Sequence, residues 1–142
     1  ASEAKAKELG CNVTTCVVDN AGFIVETRRM DGTRPLTTYI AHSKAYTAAI
    51  MKRPAKDLIH WAEGEPVYFN SVAQMGHVAI VATFGGMPVR PAQDIIGGIG
   101  VSGGTPDQCG AACDPVRVRD HVRPAGPSRL RRAHPSTGNA GL

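Results

Sequence analysis

The sequence predicts an α/β domain of the α+β kind: an antiparallel sheet of about five strands with helices packed against it. Three observations predict this. Short β-branched segments are joined by tight Gly and Asx turns, one long helical segment connects the first two to the rest, and a glycine-heavy apolar segment closes the series. Strands joined by tight turns pair antiparallel, whereas a parallel sheet needs a crossover at each step.

The elements follow in order. Residues 1–9 place Ala, Lys and Glu at helical spacing and stop at Gly10. Residues 12–18 are rich in Val and Thr, Asp19-Asn-Ala-Gly22 is a turn, and residues 23–30 alternate again, so a β-hairpin is expected. Asp31-Gly32 breaks the strand, and Pro35 stands near the start of a helix over 36–51. Its inward face is predicted to be Leu36, Ile40, Ser43, Thr47, Ile50 and Met51, with Ala41, Ala45, Ala48 and Ala49 permitting close packing. Pro54 ends that helix, 55–62 reads as a short second one, and 64–76 reads as irregular. Residues 77–84 are expected to be a strand, Gly85-Gly86 a turn, 87–90 a short strand and 94–102 the last strand. No internal repeat is present.

A chain of 142 residues fits one domain, and its hydrophobic fraction of 42% is enough for a single core. No stretch approaches the ~20 apolar residues that cross a bilayer. Residues 1–10 lack the apolar run of a signal peptide, so a cytoplasmic protein is expected. The net charge of +4 is unevenly placed. Lys/Arg and Asp/Glu balance through Gln108, and the excess lies beyond it, in Arg117, Arg119, Arg123, Arg129, Arg131 and Arg132. We therefore divide the chain into a domain over 1–108 and a basic Arg/Pro/Gly-rich tail over 109–142. The tail lacks aromatic interleaving and any nucleic-acid module, so a nucleic-acid partner is not expected. Its composition fits a disordered extension or an altered reading frame in a GC-rich gene.

The cysteines Cys11, Cys16, Cys109 and Cys113 form no C-x-x-C pair and match no zinc spacing. Cys11 and Cys16 would lie on opposite faces of one strand, so free buried thiols in a reducing compartment are expected.

Several residues invite a functional reading. Gly97, Gly98 and Gly100 weaken an apolar strand and need a reason: close approach of a ligand, or a bulged strand against a helix. Ser102 and the amides of Gly103 and Gly104 would offer donors at the strand's end. Arg29 and Lys44 can hold a carboxylate, with Asp31 beside them; an internal salt bridge from Asp31 is the alternative. His42, His60 and His77 are candidate axial haem ligands or general bases. His60 and Glu63 have metal-ligand spacing on a helix but make an incomplete site. Trp61 and Tyr68 could wall an apolar pocket beside His60, which makes it the first choice.

Arg29-Met-Asp-Gly32, Lys44-Ala45 within a small-residue helix, and Gly85-Gly-Met-Pro-Val89 leading into Ile96-Gly-Gly-Ile-Gly-Val-Ser-Gly-Gly104 together resemble the GlcG/HbpS-like family, related to the C-terminal domain of PduO-type adenosyltransferases. The resemblance covers residues 1–108. It implies a profilin-like fold, homo-oligomers and, in some relatives, haem as the bound cofactor. It also implies an Ala-rich closing helix, where this chain has Cys-Gly-Ala-Ala-Cys-Asp. Fold follows from such a resemblance more firmly than reaction does.

Three functions compete. The first is a small-molecule binding protein, with haem the named ligand held near Arg29, Asp31, Lys44, Gly98, Gly100, Ser102 and Gly103. The second is a cofactor-independent enzyme acting on an organic acid, with His42 or His60 as base. The third is an oligomeric accessory protein that docks on an enzyme.

Overall fold

The first hairpin shows how local chemistry sets the sheet. The computed structural model describes residues 1–91 and 93–113, so the expectations for the basic tail beyond Cys113 lie outside the described residues. In β1 (Thr14–Asp19), Thr14, Cys16 and Val18 are buried while the residues between them are partly exposed, the period of two expected of a strand with one face covered. Asp19 Oδ1 then accepts the amides of Ala21 (2.9 Å) and Phe23 (3.0 Å), and Gly22 adopts a φ of 87° that few other residues take readily. β2 (Ile24–Arg29) returns antiparallel, with Cys16 opposite Thr27 and a bulge that leaves Val25 as the extra residue.

The sheet has the order β2-β1-β4-β3 and is antiparallel throughout. β4 (Gly97–Ser102) is fully buried between β1 and the short edge strand β3 (Gly86–Val89). The expected antiparallel sheet with packed helices is present, but among the described residues it has four strands, not five. Residues 77–84 hold no strand, because their amides are engaged elsewhere. The Ile80 amide bonds the Ala73 carbonyl (2.9 Å), and the Val81 amide bonds Thr47 Oγ1 (2.9 Å). Ile80 is buried with Tyr46, Leu58, Phe69 and Ala73, and Val78 and Ala82 pack partly against the same cluster, so the run is anchored on helices.

On one face of the sheet lies α2 (Thr37–Ile50), close to the expected span. Its inward face is only partly the one predicted. Ala41, Ala45, Ala48 and Ala49 are buried together with Lys44, Tyr46 and Thr47, while Leu36, Ile40 and Ile50 are exposed. Cys16 and Val18 of β1 meet Ala41, Ala45 and Ala49, and the gap admits only methyl groups. On the other face, α1 (Ser2–Glu8) and the C-terminal helix α5 (Pro106–Cys113) cluster through Ala6, Val13, Val101, Ala112 and Cys113. α5 opens on a reciprocal cap, with the Thr105 amide donating to Gln108 Oε1 (2.9 Å) and the Gln108 amide to Thr105 Oγ1 (3.4 Å). The boundary expected at 108 therefore falls inside a helix.

A third group of helices covers the open side of α2. A 3₁₀ turn over Ala55–Leu58 leads into α3 (Ile59–Gly64) and α4 (Pro66–Ala73). The sequence of 64–76 reads as irregular, yet Pro66 stands in the first turn of α4, where a missing amide removes no helical bond. Phe69 and Ala73, four residues apart, are its buried face. Cys11 lies before β1 and not on the strand, and no disulfide joins any two of the four cysteines. Among the described residues no helix is long and apolar enough to cross a membrane.

Candidate functional site

The glycines of β4 are the natural place to look first, and the structure gives them a packing role. A Cβ on Gly98 would overlap the Ala45 carbonyl oxygen, and one on Gly100 the Ala41 carbonyl oxygen. These positions are bare so that the α2 backbone can lie directly on the sheet. Of the two readings of this strand, helix packing is the one its geometry carries. Ser102 is buried at the end of β4 opposite Thr14, and Gly103 has a φ of 130° with no room for a side chain against Asn12.

Arg29, Asp31 and Lys44 do not converge. Arg29 Nη1 donates to the Thr33 carbonyl (2.9 Å) and braces the turn after β2. Asp31 is exposed in that turn and makes no ion pair among the described residues. Lys44 is only 6% exposed and sends Nζ to the Val101 carbonyl (3.0 Å). Burial pushes the Lys44 ammonium below the usual lysine range, and the nearby Cys109 and Cys113 thiols act in the opposite direction. Cys113 Sγ reaches the Gly85 carbonyl (3.0 Å), and the Val101 amide bonds the same oxygen (2.7 Å). Lys44 thus fastens α2 to β4 at the point where α5 closes over it.

The thiols of Cys11 and Cys16 are pushed up by burial, with Thr27 partly opposing the shift at Cys16. Neither is a ready nucleophile, because the thiolate is the reactive form.

The histidines fall at two places, His42 and His77 beside the β1–β2 turn and His60 on α3. His42, half-buried on α2, has Nε2 3.4 Å from the Gly22 carbonyl, a long contact. His77 follows α4, stacked on Phe23 at 4.8 Å with Tyr46 edge-on at 4.7 Å. His60 and Glu63 are both exposed on α3. Among the described residues no three His, Cys, Asp or Glu side chains are grouped to hold a metal ion.

One expected grouping does form. Trp61 of α3 packs edge-on against Tyr68 (5.8 Å) and Phe69 (5.1 Å) of α4. Glu65, Pro66, Val67, Tyr68 and Ser71 line a shallow concavity of about 440 Å³. Val67 is 82% exposed, Tyr68 60% and Met75 77%, a large apolar display for so short a segment. Val67 and Met75 lie in the segment 64–76, whose sequence reads as irregular and does not single them out. Pro66 at a helix start, followed by Phe69 and Ala73 four apart, was the signal available.

A family model described as haem degrading protein HbpS-like matches residues 1–113. The chain belongs to the HbpS-like family. Within it, the chain is 33% identical over 109 residues to an uncharacterized 15.0 kDa protein from the dhaT-dhaS intergenic region of Citrobacter freundii, covering 76% of this chain and 75% of that one. It is 32% identical over 102 residues to the protein GlcG of Escherichia coli K12, covering 72% of each. The fold resembles that of the PduOC:heme complex with a TM-score of 0.73 and 27% identity, over 82% of this chain and 84% of that one.

Proposed function

We propose that this protein binds a small apolar ligand, haem being the named candidate, on the surface formed by α3 and α4, and that it does so as an assembly of like subunits. The observation that carries the reading is the concavity lined by the exposed apolar side chains of Val67 and Tyr68, on the helix that follows the one carrying His60. Apolar side chains so exposed mark a binding surface more often than chance display. The likeness to a haem complex supports haem over other apolar ligands. Bound there, haem would supply an iron centre whose reactivity is tuned by its axial ligand. Val67 and Tyr68 would hold the macrocycle, and the His60 imidazole would supply the axial nitrogen. Four cysteines with no disulfide between them support a reducing, cytoplasmic setting. The ligand function is assigned to the unit ending with α5, leaving the basic tail apart from it.

Titration with haemin, followed by visible spectroscopy, tests this on the full chain. A saturable Soret shift is expected, with loss of that band in His60→Ala and weaker binding in Tyr68→Ala. Absence of a shift in the unaltered protein would sink haem as the ligand. A shift that survives His60→Ala and disappears in His42→Ala or His77→Ala would move the site to the hairpin end of α2.

A further inference from the structure

We propose that the free edge of β2 is a subunit interface, in which β2 of two copies pair antiparallel about a two-fold axis at Thr27 and join their sheets into one. This rests on the assembly of like subunits proposed above and names the surface that makes it.

β2 ends the order β2-β1-β4-β3, so its outer edge has no strand partner among the described residues. Phe23, Ile24 and Val25 beside it are 61%, 53% and 67% exposed. An open edge carrying apolar side chains invites pairing with another chain, and charges are the usual means of limiting it. Here the charges select one partner. Glu26 lies opposite Val17 and Arg28 opposite Thr15, so both project from the sheet face that carries α1. Arg28 Nε lies 3.8 Å from Glu3 Oε1 and 3.6 Å from Glu26 Oε1, which confirms that placement.

A two-fold axis perpendicular to a sheet pairs only residues that share a face, so it must pass through a residue position. An axis at Glu26 would set that carboxylate against its own copy, and an axis at Arg28 would set guanidinium against guanidinium. An axis at Val25 falls on the bulge, where the ladder is broken. An axis at Thr27 brings each Glu26 opposite the partner's Arg28, twice over, with the two threonines facing each other. Opposite charges directly across an antiparallel pair stabilise it, and like charges disfavour it. The edge is therefore complementary to itself in that register and repulsive in the neighbouring ones.

Charge reversal tests the pairing, because all the side chains concerned are exposed. Molar mass would be measured by light scattering after size exclusion for the full chain, Glu26→Arg, Arg28→Glu and the double variant, with circular dichroism confirming that each is folded. The unaltered chain is expected to be a dimer or a larger even assembly. Each single variant should associate about tenfold more weakly or worse, since it sets like charges opposite each other. The double variant should recover the original mass, and an equimolar mixture of the two single variants should form a mixed dimer, since each then supplies what the other lacks. An unaltered chain that stays monomeric overturns both this interface and the assembly. An assembly that the single variants leave unchanged overturns the interface alone.

Discussion

Gly100 and Lys44 sit one above the other where α2 crosses β4, and each makes a different demand on that contact. Gly100→Ala would drive a methyl group into the Ala41 carbonyl oxygen. Neither backbone can yield without disturbing the close-packed layer, so the substitution is expected to destabilise the fold by about 1–3 kcal/mol, read by urea unfolding. Lys44 imposes a pH dependence. Its folded pKa is lowered by burial, so between that value and the unfolded lysine value the unfolded chain binds more protons. Its contribution therefore rises with pH through that window, is fully present above the unfolded value, and is lost as pH falls through the folded one. Lys44→Met, which keeps the volume, should remove that rise. The gap between unaltered and variant stability should move in favour of the unaltered chain as pH increases towards the lysine range. A pH-independent gap would contradict it.

At the scale of elements, Thr47 and α5 hold pieces that the sequence reading misplaced. Thr47 Oγ1 donates to the Ser43 carbonyl (2.7 Å) and accepts the Val81 amide, and that acceptance anchors the run read as a fifth strand. Thr47→Val would leave the Val81 amide unpaired in a half-buried place and should destabilise by about 1–3 kcal/mol in thermal or urea unfolding. α5 is the other case. A chain ending at Gln108 loses Cys109, Ala112 and Cys113, all buried, whereas a chain ending at Cys113 keeps them. The shorter form should be less stable by about 3 kcal/mol or fail to fold, and the longer one should melt close to the full chain. The hairpin, α1, α2 and the final strand were legible because each is announced locally, by alternation, by an Asx turn or by a glycine stop. The fate of 77–84 was not, since an apolar run of that length reads alike as a strand or as a segment buried under helices.

For the molecule as a whole, assembly through β2 links stability to concentration. The melting temperature of the unaltered chain should rise with protein concentration, because only the folded state associates, and that of Glu26→Arg should change much less. The same scale explains why the candidate site was only partly legible. Trp61, Tyr68 and His60 could be grouped from their proximity in the chain, and the contact between the Trp61 and Tyr68 rings depends on two short helices folding back on each other. Arg29 and Lys44 could be singled out by charge, but their bonds to the Thr33 and Val101 carbonyls depend on where the chain places those oxygens.

The sequence by itself determined the class of fold, the family, the hairpin and the long helix, because turn chemistry and short-period patterning act within a few residues. Only the tertiary structure decided which face of α2 is inward, that the β4 glycines serve helix packing, and that an apolar segment stays out of the sheet. Each of those depends on distances between segments far apart in the chain. The room available there for a Cβ, and the partner available for an amide, are properties of the packed whole.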